Sequence, residues 1–367
     1  MKEIRFFEDV EDFRIDRTKQ YPLTEILMIS LCAVLGGADD FEQIAEYGRQ
    51  KIGFLRRFLD LSNGIPSHDT FSRVFRHLDQ KQFSDSLHRW SKELLSFLAG
   101  EQIAIDGKVL RGTDKKGHKK SGICIVSAWA QGNRLVLGQA KVGEKSNEKT
   151  AIPVLLDSLE LKGAIVSIDA IGCQPKIAEQ VRGKEGHYLL AVKKNQGRLL
   201  EEAVSRFKAH EGRLERFEKT DFVGGRIEKR ICTVLRDLTF VDAAARFKDS
   251  RCLVRVESSR TLKAQPDKTS SETRYFLTSL DATAERFLAI SKNHWSIENQ
   301  LHWMLDVVFS EDQARARTQN AAENLSTLRK IALQLLVRAE DKVSMKNRRF
   351  KAALNDDYMF QLLNPLI

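Results

Sequence analysis

Between residues 101 and 192 the hydrophobic period of the chain switches between two and 3.6, and the order of those switches leaves few folds open. Ile103-Ala104-Ile105-Asp106 alternates as a strand that Gly107 interrupts. Ile123 to Ala130 and Arg134 to Val142 are two further strand runs, joined by Gln131-Gly132-Asn133, a connection of hairpin type. The polar loop GEKSNEKT then leads into an amphipathic helix carrying Ile152, Val154, Leu155, Leu156 and Leu159. Ala164 to Asp169 reads as a buried strand ending in a carboxylate, Pro175 to about Val181 as a short helix, and Tyr188 to Val192 as a fifth strand.

Three antiparallel strands, a helix, a strand, a helix and a strand make the order of a ribonuclease H-like α/β core, whose mixed sheet combines a meander with parallel crossovers. The first and fourth strands then lie side by side, and Asp106 and Asp169 meet at one edge of the sheet. Further on, Ile290 to Asp312 reads as a helix with Ile290, Ile297, Leu301, Met304, Leu305 and Val308 on its apolar face. His294, Glu298 and His302 follow one another at i+4 and form a polar stripe beside that face.

Four segments surround this pattern. Residues 1–98 are helical, with Pro22 and Gly36-Gly37 bounding one helix, Asp39-Asp40 preceding a second, and Ser67 capping a third. The outward face of the third holds Arg73, Arg76 and His77, compatible with a helix-turn-helix reader of DNA. Residues 99–197 read as the first part of the ribonuclease H-like core, 198–282 as a β-rich insertion, and 283–367 as the Glu298 helix with the C-terminal helical part and its basic tail of Lys342, Lys346, Arg348, Arg349 and Lys351.

With 367 residues the chain is long enough to bury real cores, and its net charge of +10 favours a polyanionic partner, nucleic acid first. Five widely spaced cysteines without a CxxC pair exclude a zinc finger or disulfide framework and suit reduced thiols. An N-terminus too acidic for a signal peptide, and apolar runs too short to span a bilayer, predict a cytoplasmic protein without a membrane partner.

Two aspartates on neighbouring strands and a glutamate on a later helix are the minimum set for holding two divalent ions, and oxygen ligands suit Mg²⁺ or Mn²⁺. Such a pair, roughly 3.5–4 Å apart, activates a water or 3′-hydroxyl for in-line attack on a phosphodiester. Taken singly, Asp106 also reads as a turn residue and Asp169 as a helix cap.

The motifs IAIDGKVLRG, IVSAWA, LVLGQAKVGEKSNEKTAIPVLLDSLELKGAIVSIDAIGCQ, YLLAVKKNQ, TRYFLTSL and HWSIENQLHWMLDVVFSED resemble those of the ISAs-type insertion-sequence transposases. That group includes the H-repeat-associated proteins and lies within the DDE transposases. The resemblance covers nearly the whole chain. It implies a ribonuclease H-like core, a divalent metal held by Asp106, Asp169 and Glu298, and double-stranded DNA, as element ends and target, acted on by a homo-oligomer at the nucleoid. Where some related families have Tyr-x2-Arg-x3-Glu-x6-Lys, this chain has Ser291, His294, Glu298 and Leu305, so basic contacts to DNA must come from elsewhere. Candidates are Arg73, Arg76, Lys108, Arg111, Lys193, Lys194, Asn195, Gln196, His294 and His302. Two other readings remain open: a metal-dependent nuclease without strand transfer, and a DNA-binding remnant with an inactive core.

Overall fold

The computed structural model describes residues 4–114, 122–143 and 147–367. The middle of the GEKSNEKT loop, 144–146, lies outside them. Five helices come first: α1 (Leu23–Leu35), α2 (Phe41–Gln50), α3 (Ile52–Leu55), α4 (His68–His77) and α5 (Gln80–Leu94). Their boundaries follow local chemistry. Gly37, at φ 109°, takes the left-handed turn after α1, while the side chains of Asp40, Ser67 and Asp79 accept from backbone N–H groups in the first turns of α2, α4 and α5.

The sheet begins with β1 (Gln102–Leu110), β2 (Ile123–Ala130) and β3 (Leu135–Lys141), an antiparallel meander. After α6 (Glu148–Ser158), β4 (Ile165–Ile168) pairs parallel with β1; after α7 (Pro175–Gly183), β5 (His187–Val192) pairs parallel with β4. Gly107 does not interrupt β1. Its backbone pairs with Val126 and the strand continues to Leu110, because a glycine keeps both ladder hydrogen bonds and lacks only a side chain.

Past α8 (Gly197–Ala209), the strands β6 (Glu215–Val223), β7 (Arg226–Leu235), β8 (Cys252–Leu262) and β9 (Gln265–Thr278) extend the same sheet, β9 pairing antiparallel with β5. The order is β3-β2-β1-β4-β5-β9-β8-β7-β6. One face is covered by α6, α7 and α8 through Ile103, Ile105, Val126, Val166, Ile168 and their neighbours. The other is covered over β4 to β9 by α9 (Ala284–His294), through Phe287, Leu288 and Ile290.

The stretch read as one helix from Ile290 is broken. After α9 comes a π-helical turn, Ile297–His302, then α10 (Trp303–Val307). The expected apolar residues Ile297, Leu301 and Leu305 are buried all the same. Apolar spacing alone does not separate an i+4 ladder from a local i+5 ladder, so the wider turn leaves no mark on the pattern.

The long helix α11 (Ala321–Arg338) is buried on every side and packs against α1, α4, α5 and β3. Several of its polar groups are partnered: Gln334 accepts from the Val136 N–H at 2.7 Å, and Asn324 Nδ2 donates to the Phe75 and Leu78 carbonyls, while Asn324 Oδ1 is buried without a partner. With α12 (Met345–Leu354) and α13 (Asp356–Leu363), it joins the N-terminal helices and the π turn in one apolar core. The basic tail divides: Lys342, Lys346 and Lys351 are exposed, but the two arginines are engaged. Arg349 is buried, donates to the Val34 and Ala38 carbonyls and lies 4.7 Å from the Phe309 ring centre, while Arg348 holds the end of α11.

Candidate functional site

Strand alternation decides which carboxylates meet. In β1, Ile103 and Ile105 point into the α6–α8 layer, so Ala104 and Asp106 point the other way. In β4, Val166 and Ile168 take the α6–α8 side, leaving Ser167, and by the same alternation Asp169 just past the strand, on the α9 side. Ile105 pairs with Ile168, so Asp106 and Asp169 are the next residues on adjacent parallel strands. Asp169 also caps the turn after it, accepting from the Ile171 N–H at 2.9 Å. Of the two single-residue readings, the helix-cap one holds for Asp169, which is a cap as well as an edge carboxylate; the turn reading of Asp106 does not, because Asp106 lies inside β1, paired with Ser127.

The segment from α9 to α10 brings a histidine to each of these strands. His294 Nδ1 lies 3.1 Å from Ser167 Oγ, which also accepts from Gln102 Nε2 at 2.9 Å; the same amide nitrogen donates to the Ile290 carbonyl. This small network ties β1, β4 and α9 together behind the aspartates. His302 Nδ1 stands 3.5 Å from Asp106 Oδ2, and His302 Nε2 is buried without a partner. Glu298, between the two histidines in sequence, is exposed. The polar stripe is therefore not one solvent-facing line, because the π turn and the sheet edge enclose both imidazoles.

Burial sets the charge states here. It pushes His294 down to about 4 and His302 down to about 3, so both are neutral near pH 7 and neither offers a phosphate a cation. Burial, reinforced by the charges of Glu298, Asp169 and Glu148, raises the Asp106 carboxyl to about 7. Partial loss of solvent around its carboxyl raises Glu298 as well, although the residue is exposed overall, with the Arg274 guanidinium opposing.

A fourth carboxylate at this edge was missed in the sequence reading. Glu148 is the first residue of α6, and its carboxyl lies over Gly107, where an added Cβ would collide with Oε1. Cys124 Sγ donates to the same oxygen at 3.5 Å. A Glu opening a helix is ordinarily explained by the helix dipole, so only the glycine after Asp106 hinted that something approaches the strand there.

Asp106, Asp169, Glu148 and Glu298 form an all-oxygen donor set, the kind that suits a hard divalent cation, and the space above the bare Cα of Gly107 is filled by a carboxylate. Among the described residues, no three His, Cys, Asp or Glu side chains stand close enough to enclose an ion. The residue types would suit Mg²⁺ or Mn²⁺, and an ion shared among them would require these side chains to come closer together.

The other candidates divide into engaged and free. Lys108 is engaged in an acidic cluster: Asp306 at 2.5 Å, Glu311 at 2.7 Å and Asp312 at 3.3 Å. Glu311 is fully buried. Asn195 and Gln196 donate to the Ala170 and Cys173 carbonyls and so fix the turn that follows Asp169. Arg73, Arg76, Lys193 and Lys194 are exposed, and Arg111 is exposed beside Asp312 at 3.4 Å. A cleft of about 810 Å³ opens between β7–β9 and the Glu298 segment, with Arg226, Arg260, Arg274, Lys292 and Trp295 on its walls. No helix among the described residues is long and apolar enough to cross a membrane.

Comparison with known proteins matches this architecture. The family described as "Transposase DDE domain" matches residues 99–335, and "DDE_Tnp_1-associated" matches residues 4–91. The chain is 39% identical to "Putative transposase YncI" of Escherichia coli O157:H7, over 96% of this chain and 92% of that protein. It is 37% identical to "H repeat-associated putative transposase YhhI" of Escherichia coli (strain K12), over 96% and 95% respectively. A shorter relative, "Inactive transposase YbfQ" of the same strain, is 40% identical across 17% of this chain and 75% of its own length. With its mixed α/β sheet, its N-terminal helices and a family model spanning most of its length, the chain belongs to the DDE transposases.

Proposed function

We propose that this protein is the transposase of an insertion sequence, cutting double-stranded DNA at the element's ends and joining the freed 3′-hydroxyls to a target. The observation that carries this reading is the placement of Asp106 and Asp169 on neighbouring parallel strands, on the sheet face over which the Glu298 segment passes. Asp106, Asp169 and Glu298 would hold the metal. Bound Mg²⁺ or Mn²⁺ would supply Lewis-acid polarisation of the phosphodiester and a more acidic attacking water or hydroxyl. The chain's own contribution is position: the Gln102–Ser167–His294 network holds the two strands and α9 in register, and the Asn195 and Gln196 bonds hold the turn beyond Asp169. His302, neutral and 3.5 Å from Asp106, orients that carboxylate without competing for its charge.

DNA phosphates would meet Arg73, Arg76, Arg111, Lys193 and Lys194, exposed cations at or near the carboxylate edge and on α4. Two element ends call for at least two protomers, so the working form is a homo-oligomer on DNA at the nucleoid.

The test uses DNA carrying the element's flanking ends, purified protein, Mg²⁺ and a supercoiled target, with Glu298→Gln in parallel. End cleavage with joined product, lost in Glu298→Gln, is the expected result. Cleavage without joining would leave a metal-dependent nuclease. End binding with no cleavage in either protein would leave a DNA-binding remnant; one relative is named an inactive transposase.

A further inference from the structure

Two layers of helix approach the edge that carries Asp106 and Asp169, and each delivers one glutamate. Glu298 comes from the segment after α9; Glu148 comes from the opposite layer, at the first turn of α6. The two are not placed alike by accident of exposure. Position 107 faces the α6 side, because Asp106 faces the other, and only the missing side chain of Gly107 lets the Glu148 carboxyl come down onto the strand. Alanine at 107 would put a carbon into the Glu148 carboxyl, 2.5 Å from Cδ. Cys124, beside Glu148, supplies a weak neutral donor, and among the described residues no Lys, Arg or His forms an ion pair with Glu148. The charges that act on it are those of Asp169 and Asp106, both of its own sign.

A carboxylate that feels the like charges of two others in a partly buried site is unfavourable unless a cation offsets it. We infer that Glu148 is a fourth oxygen ligand of the divalent-metal centre, reaching the ion from the α6 side while Glu298 reaches it from the other. The inference rests on the reading of Asp106, Asp169 and Glu298 as a metal centre. The competing explanation is that Glu148 only favours the positive end of α6. The two differ in sign. A ligand destabilises the metal-free protein and stabilises the metal-bound one, whereas a helix-end carboxylate stabilises both.

The experiment titrates the full-length protein with Mn²⁺ alone, following free Mn²⁺ by electron paramagnetic resonance and thermal unfolding in EDTA and in Mn²⁺. Wild type is compared with Glu148→Gln, Gly107→Ala and Asp106→Asn. Glu148→Gln is expected to melt no lower than wild type in EDTA while losing about tenfold or more in Mn²⁺ affinity. Gly107→Ala, which displaces the carboxylate without removing it, is expected to lose affinity as well, so the result does not hang on one variant. Mn²⁺ affinity kept in Glu148→Gln but lost in Asp106→Asn overturns the fourth ligand and leaves the metal centre standing. A lower melting temperature in EDTA with an unchanged Mn²⁺ shift assigns Glu148 to the helix end. Absence of Mn²⁺ binding in wild type overturns the metal centre, and the inference with it.

Discussion

The two halves of the nine-stranded sheet treat acidic side chains in opposite ways. Along β6–β9 they are neutralised in place: Asp221 by Arg230 and Lys292, Glu218 by Lys229, Glu228 by Arg226, Arg230 and Arg260, and Glu272 by Arg274. At β1 and β4, Asp106, Glu148 and Glu298 have no Lys or Arg ion pair among the described residues, and Asp106 has only the neutral His302. The carboxyls respond accordingly. Hydrogen bonds from Lys292 and Arg274 hold Asp221 and Glu272 below the usual range, while burial and like charge hold Asp106 above it. The acidic side chains of one half are offset by neighbouring cations, and those at the other are not.

The sharpest way to break this contrast is at the half whose carboxylates are not offset. Asp106→Asn or Asp169→Asn should reduce end cleavage by about a thousandfold or more, since an ion-dependent step loses several kcal/mol when a ligand is removed. Full activity in both variants would show that the edge is not the reacting centre.

Next in size is the cluster between the halves' chemistries, where Lys108 neutralises buried Glu311. Lys108→Met should lower unfolding stability by about 3–5 kcal/mol, because it leaves a buried charge unpaired. Lys108→Met with Glu311→Gln should recover part of that loss in urea unfolding. Equal instability of single and double variants would mean that packing, not charge, is what Lys108 supplies.

The pH dependence should separate the halves by sign. Asp106 has a folded value of about 7, above its ordinary 3.8, so in EDTA the stability it allows is full below about pH 4 and is lost as pH rises through 7. Glu272 is lowered by its hydrogen bond to Arg274, so its contribution is present above its usual value and lost as pH falls below it. Wild type in EDTA should therefore lose stability between about pH 4 and 7 more than Asp106→Asn does. Parallel profiles for the two proteins would remove Asp106 from the account.

The smallest effect should come from the half whose carboxylates are offset. Lys229→Gln removes one partly exposed pair with Glu218, and the cost should stay within about 0.2–1 kcal/mol in urea unfolding, shrinking further in high salt. A loss of several kcal/mol would show that the charge ladder supports the fold more than exposed pairs ordinarily do.

Much of this arrangement was legible in the chain itself. The switch of period from two to 3.6 and back located β1 to β5, and the Asp at the end of two of those runs marked the edge where they meet. What stayed hidden depended on distance in sequence or on geometry without a pattern. Lys108 looks like a free cation until residues about two hundred positions later fold over it. Arg349 looks like tail charge, yet its acceptors are the carbonyls at the end of α1. Glu148 sits in a polar loop that reads as an ordinary helix start, and the π turn keeps the apolar spacing of a plain helix.

The interlocking of the first and last helices has a consequence for how the protein is made. Lys51 on the link between α2 and α3 pairs with Asp356 at 2.8 Å, Arg349 binds the end of α1, and α11 fills the core that α1, α4 and α5 leave open. On a ribosome, the first ninety-odd residues must wait for the last fifty, on the order of tens of seconds at ordinary synthesis rates. Until then their apolar faces have no cover. A gene copy shortened at its 3′ end should therefore yield a chain cleared or aggregated, and not a stable N-terminal piece able to occupy DNA in competition with the intact protein.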